Sequence, residues 1–131
     1  MNSPRWLLPE VVLALHADSL RLFGGMAGIR DEALLESALG RAEQLWHYSD
    51  PNPTVAELAA AYAFGLAKNH PFFDGNKRIA FLAATAFLEI NGTKFQGAES
   101  DALIHTLALA AGELDEAGFA AWLEANSSPA S

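Results

Sequence analysis

The stretch "HPFFDGNKR", residues 70–78, crowds a histidine, a carboxylate, a glycine, an amide and two cations into nine positions. Imidazole exchanges protons near neutral pH, so His70 is a candidate general base. If a helix starts near Gly75, the backbone N–H groups of Gly75, Asn76 and Lys77 lack intrahelical partners and sit at the positive end of the helix dipole. Such a terminus is a ready site for phosphate, and Gly75 lets the backbone approach it closely. Lys77 and Arg78 would oppose the dipole in the first turn, where a helix built only for stability carries Asp or Glu. Their presence suggests an anion seated between dipole and cations. A carboxylate beside a phosphate site is the usual holder of Mg²⁺, which makes Asp74 the candidate metal ligand. Base, metal ligand, anion hole and cations together are the parts of a phosphoryl or nucleotidyl transfer site. Singly, each has a plain explanation: Asp74 as a helix cap, Lys77 and Arg78 as solvated cations, His70 as a residue favoured at a helix C-terminus. Their coincidence within one short segment favours the chemical reading.

The elements that position this stretch read as helices. Apolar residues recur at helical spacing over Pro9–Phe23, with Pro9 suited to the first turn. "GGMAG" (Gly24–Gly28) breaks that helix. A second follows, with Asp31 as a candidate N-cap and a stripe of Leu34, Leu35, Ala38, Leu39, Ala42 and Leu45. "HYSDPNP" (His47–Pro53) is a loop rich in turn formers. Thr54 and Glu57 form a capping box before "VAELAAAYAFGLAKNH", apolar almost all round and therefore expected to be central. The helix after Gly75 is nearly as apolar and stops at Asn91-Gly92. Thr93–Gly97 is a candidate short strand, and two weaker helices fall near Asp101–Ala110 and Glu116–Glu124. The polar stretch thus joins two buried helices, where an unpaired charge costs several kcal/mol. The expected fold is all-α, a compact bundle of about six helices with a possible short flap or strand. Residues 1–125 form one domain and 126–131 a flexible tail.

The whole chain narrows the function classes. It has 131 residues, 51% of them hydrophobic, and no cysteine. One domain with a real core is expected, burying about two thirds of its unfolded surface. Disulfides and thiolate metal sites are excluded, which suits a reducing, cytoplasmic setting. The N-terminal apolar run is interrupted by Pro9, Glu10, His16 and Asp18, so neither a signal peptide nor a membrane span is expected. Sixteen acidic residues face eight basic ones, a net charge of −8, which argues against direct DNA binding through phosphate attraction. A local cluster of cations (Lys68, Lys77, Arg78) on that negative body suits one small anion.

The stretch "HPFFDGNKR" resembles the signature of the Fic/Doc superfamily, His-x-Phe-x-Asp/Glu-Gly/Ala-Asn-Gly/Lys-Arg. "GGMAGIRDEALLESALGRAEQ" (Gly24–Gln44) and the exit "FLEINGTKF" are similar to the Doc-like (death-on-curing) branch, and the likeness runs from about Pro9 to Glu124. The adenylylating Fic branch has a second glycine where Lys77 stands and a second arginine where Phe81 stands; both departures match the Doc branch. The resemblance implies a toxin of a type II toxin–antitoxin system that transfers the γ-phosphate of ATP to a Ser/Thr hydroxyl of a translation factor, elongation factor Tu being the family precedent. It implies His70 as the catalytic base, Asp74 as the Mg²⁺ ligand, and Gly75, Asn76, Lys77 and Arg78 as the ATP phosphate site. It also implies a Phd-like antitoxin whose C-terminal segment folds into a groove beside the cleft. The nearest string to the inhibitory helix of some Fic proteins is "TAFLEI" (Thr85–Ile90), which reads as core packing, so restraint would come from another chain.

Two alternatives remain: a Fic-type AMP transferase acting on a protein hydroxyl, and an inactive nucleotide- or partner-binding module. In the superfamily the region of Trp46, His47 and Tyr48 forms a flap that aligns the target; these residues would serve equally to close the core. His16, His47 and His105 have no metal-ligand spacing and read as ordinary core or surface histidines.

Overall fold

The computed structural model describes residues 3–130. It contains six helices: α1 (Pro9–Phe23), α2 (Glu32–Tyr48), α3 (Val55–Asn69), α4 (Asn76–Ile90), α5 (Glu99–Ala111) and α6 (Glu116–Ala125), with two short strands, β1 (Thr93–Phe95) and β2 (Ser127–Pro129). The fold is all-α, as the periodicity requires.

Local chemistry sets the helix starts. Pro9 lies in the first turn of α1. Asp31 accepts from the Leu34 N–H at 3.0 Å. Thr54 accepts from the Glu57 N–H at 3.1 Å, and Glu57 accepts from the Thr54 N–H at 2.9 Å, completing the capping box. These bonds satisfy donors that a helix start otherwise leaves unpaired.

α3 is the central element. Leu58, Ala59, Ala60, Ala61, Ala63 and Leu66 are fully buried, and the helix packs against α2, α4 and α6. Its alanines allow close approach. At Gly65 a Cβ would lie 3.0 Å from the Ala38 Cα of α2, so even one methyl group would push the two helices apart. Larger side chains fill the ends. Trp6, Trp46, Tyr62 and Phe87 form one aromatic group; Phe81, Phe95, Phe119 and Trp122 form another. Emptying the Phe87 site by substitution to Ala should cost about 3–5 kcal/mol.

β1 and β2 pair antiparallel, with Lys94 opposite Ser128, and the Ala130 N–H donates to the Gly92 carbonyl at 2.8 Å. The C-terminal segment is therefore not loose over Ser127–Pro129: a ladder holds it, and the Ser127 hydroxyl donates to the Leu123 carbonyl at 2.6 Å. Its composition resembles a frayed end because backbone bonds, not apolar side chains, tie it down. The last residue of that tail, 131, lies outside the described residues. Among the described residues no helix is long and apolar enough to cross a membrane.

Candidate active site

The site lies where α3 ends and α4 begins. His70 caps α3 in the left-handed region, φ 49° and ψ 55°. It is the single non-glycine residue with positive φ among the described residues. That conformation costs about 1–2 kcal/mol, so the surroundings must impose it. Pro71 prevents the helix from continuing. Arg30 then grips the turn: its Nε donates to the His70 carbonyl at 2.7 Å and its Nη2 to the Asn69 carbonyl at 3.0 Å. The N–H groups of Arg30 and Asp31 both donate to the Pro71 carbonyl, at 2.7 and 3.1 Å. The His70 side chain is exposed.

Past Pro71 the chain is pinned from below. Phe72 is buried, and Ile29 and Phe72 form an isolated antiparallel bridge. The Asn76 Oδ1 accepts from the Phe72 N–H at 3.0 Å, and its Nδ2 donates to the Phe72 carbonyl at 2.9 Å. Asn76 is 5% exposed. Its side chain is thus a brace for the loop, and only its backbone N–H remains available to a phosphate. The same Nδ2 stands 3.5 Å from the His70 Nδ1, too loose to fix a tautomer.

Asp74 is exposed, and its Oδ2 accepts from the Met26 N–H at 2.6 Å. Gly75 follows as the N-cap of α4 with φ 79°. A Cβ there would meet the His16 Nε2 and the Leu20 Cδ2 at 3.4 Å, so the backbone needs glycine for its conformation and is snug for space. The first turn of α4 contains no acidic residue. Lys77 is exposed. Arg78 is half-buried: its Nη2 donates to the Gly24 carbonyl at 3.1 Å, its guanidinium lies 4.9 Å over the Phe23 ring, and its Nε is buried without a protein partner. The end of α1 therefore holds the Arg78 guanidinium in place.

His70, Asp74, Gly75, Lys77 and Arg78 come together at one end of the bundle. Trp46, His47 and Tyr48 do not. They form the last turn of α2, and α2 runs antiparallel to α3, with the Asn69 Nδ2 donating to the Leu34 carbonyl at the site end. The 15 residues of α3 separate them from His70 by about 22 Å. Trp46 is buried against Trp6, whereas Tyr48 is exposed. The segment that borders the cleft is instead 24–31, through the contacts of Met26, Ile29 and Arg30 described above. Its glycines were legible as a helix break; their service to the loop at Phe72–Asp74 was not. Lys68 turns away, its Nζ donating to the Ala110 carbonyl at 3.3 Å. Thr85 returns its hydroxyl to the Phe81 carbonyl at 3.2 Å within α4, consistent with a packing role for "TAFLEI".

These residues fit a Mg²⁺–nucleotide. Asp74 uses one oxygen on Met26 and leaves the other, at an exposed position. Among the described residues no group of three His, Cys, Asp or Glu could cage a metal. One carboxylate completed by substrate phosphates and water is the habit of Mg²⁺.

This architecture and motif define a Fic/DOC family site. The Fic/DOC family model matches residues 6–88, and the chain belongs to that family. Its sequence is similar to two Doc proteins. It is 38% identical over 108 residues to toxin Doc of Mycolicibacterium smegmatis, covering 76% of this chain and 83% of that protein. It is 33% identical over 90 residues to protein kinase doc of Escherichia phage P1, covering 69% of this chain and 71% of that one. The chain is thus a Doc-like member of the family.

Proposed function

We propose that this protein is a Doc-type toxin of a type II toxin–antitoxin system that moves the γ-phosphate of ATP to a Ser or Thr hydroxyl of a translation factor, elongation factor Tu. The observation that carries the choice of phosphate over AMP is the first turn of α4. It presents Lys77 and Arg78 with no acid, while Phe81, where a second arginine would clamp the far end of the nucleotide, is packed on Phe95 and Trp122. The similarity to protein kinase doc supports the same choice.

In this reading the Gly75, Asn76 and Lys77 N–H groups bind phosphate oxygens, and Lys77 and Arg78 offset their charge. Asp74 would hold Mg²⁺ beside this site, and the ion would supply charge neutralisation during transfer. His70 takes the proton of the target hydroxyl. That oxygen bonds to the γ-phosphorus as the bond to the β-phosphate oxygen breaks, and ADP leaves.

Restraint comes from a Phd-like antitoxin. A groove of about 290 Å³ between α1, α4 and α5, lined by Phe23, Arg78, Phe81, Leu103 and Leu107, opens beside the motif. Its apolar lining suits the apolar face of a peptide segment.

Intact mass is the test. The chain is incubated with ATP, Mg²⁺ and elongation factor Tu, and the factor is weighed. A gain of about 80 Da, one phosphoryl group, is expected. A gain of about 329 Da, one AMP, would replace the kinase reading with adenylylation. No gain, with ATP still bound, would leave a nucleotide-binding module for this target.

A further inference from the structure

His16 has no part in the chemistry above, yet it is the buried titratable group nearest to it. It is 4% exposed in the middle of α1, on the same face as Val12 and Ser19. Its ring stacks on Phe72, centroids 3.7 Å apart and planes 15° apart. Its Nε2 lies 2.8 Å from the Asp74 carbonyl oxygen. A carbonyl can only accept, so Nε2 carries the proton and donates it.

The consequence follows from peptide geometry. The Asp74 C=O and the Gly75 N–H belong to one planar trans unit and point in opposite directions. Drawing the carbonyl down onto His16 turns the Gly75 N–H away from the core, toward the side on which a phosphate would arrive. The Gly75 carbonyl is held as well, accepting from the Ile79 N–H at 3.0 Å in the first bond of α4. Without the His16 donor that peptide is free to rotate, because Gly75 tolerates φ of either sign. The Asp74 side chain is tied only at the rim, to the Met26 N–H.

We infer that His16 is a positioning residue for the anion site: its Nε2–H fixes the Asp74–Gly75 peptide so that the Gly75 N–H faces the nucleotide phosphates. The inference rests on the proposed phosphate site at Gly75–Arg78, and its test separates the two.

Two variants divide the roles of the ring. His16→Phe keeps an aromatic ring against Phe72 and loses the donor. His16→Gln keeps an N–H donor and loses the ring. Each is compared with the parent for thermal midpoint, for ATP–Mg²⁺ affinity by calorimetry, and for the ¹⁵N–¹H signal of Gly75 on adding ATP. Phosphate transfer is assayed alongside. For His16→Phe the expected result is ATP binding about tenfold weaker, the worth of one well-made hydrogen bond, with the Gly75 signal no longer responding. His16→Gln should regain most of the affinity. ATP affinity and Gly75 response unchanged in His16→Phe would overturn the inference. So would equal loss in both variants in step with their thermal midpoints, since that marks packing alone. If the parent binds ATP and moves the Gly75 signal but transfers nothing, the proposed activity fails while the comparison of variants still decides the role of His16.

Discussion

Arg30→Ala probes how the site holds its histidine. The arginine donates two hydrogen bonds, to the carbonyls of His70 at 2.7 Å and Asn69 at 3.0 Å. Both come from a charged group, a type worth about 1.5–3 kcal/mol each when shielded. Arg30 is exposed, so solvent reduces them to about 1 kcal/mol each. Their sum, about 2 kcal/mol, is comparable to the 1–2 kcal/mol cost of placing a non-glycine residue in the left-handed region. Removing the latch therefore leaves the His70 conformation disfavoured by about 1–2 kcal/mol against extended alternatives, and the imidazole spends most of its time out of place. The proposed phosphate site is braced separately, through Asn76 and His16. The expected outcome is a kcat for phosphate transfer reduced about tenfold or more with the KM for ATP within about twofold. The thermal midpoint should fall by several degrees. Arg30→Lys, which keeps the charge but cannot fork across both carbonyls, should recover only part of kcat. Steady-state phosphorylation of elongation factor Tu, with calorimetry on the same samples, measures all three. A kcat equal to the parent's, or a loss confined to KM, would refute the idea that Arg30 holds the base.

Two further outcomes are expected. His70→Ala should abolish phosphate transfer and toxicity on expression while leaving ATP affinity and fold intact, since the exposed ring supports no packing; a variant as toxic as the parent would remove the histidine from the chemistry. Tyr62→Phe should alter the alkaline limb of stability. Burial raises the Tyr62 phenol above its ordinary value of 10.0, against the lowering effect of the Leu7 N–H that donates to it at 3.2 Å. With a folded pKa above the unfolded one, the unfolded chain loses the proton first. Stability is therefore full below about pH 10 and is lost as pH rises through the folded value. Tyr62→Phe should cost about 1 kcal/mol at neutral pH, by leaving the Leu7 N–H without its acceptor, and should flatten the decline above about pH 10 seen in chemical denaturation.

How far the sequence reached depends on the range of the interaction. The caps at Asp31 and Thr54, the start of α4 at Gly75 and the strand at β1 were legible because each rests on contacts within a few residues. The burial of α3 was legible because its composition is apolar on every side. The chemical stretch at 70–78 was legible as a stretch because its members lie within nine consecutive positions. What its members face was not. Asn76 offers a helix-start N–H in the sequence, but that its side chain turns inward onto Phe72 is visible only in the fold. Trp46, His47 and Tyr48 stand beside a loop in the sequence, yet the antiparallel course of α2 and α3 carries them to the far end of the bundle. His16 and Arg30 reach the motif across 58 and 40 residues, and hydropathy periodicity records that a position is buried without recording what it touches. The tail pairs as β2 because β1 offers it a free edge, a property of the partner strand. Composition and local spacing thus determined the helices and the candidate site residues. Only the tertiary structure decided which of those residues meet, because a hydrogen bond depends on where two atoms lie in space and hardly at all on their separation along the chain.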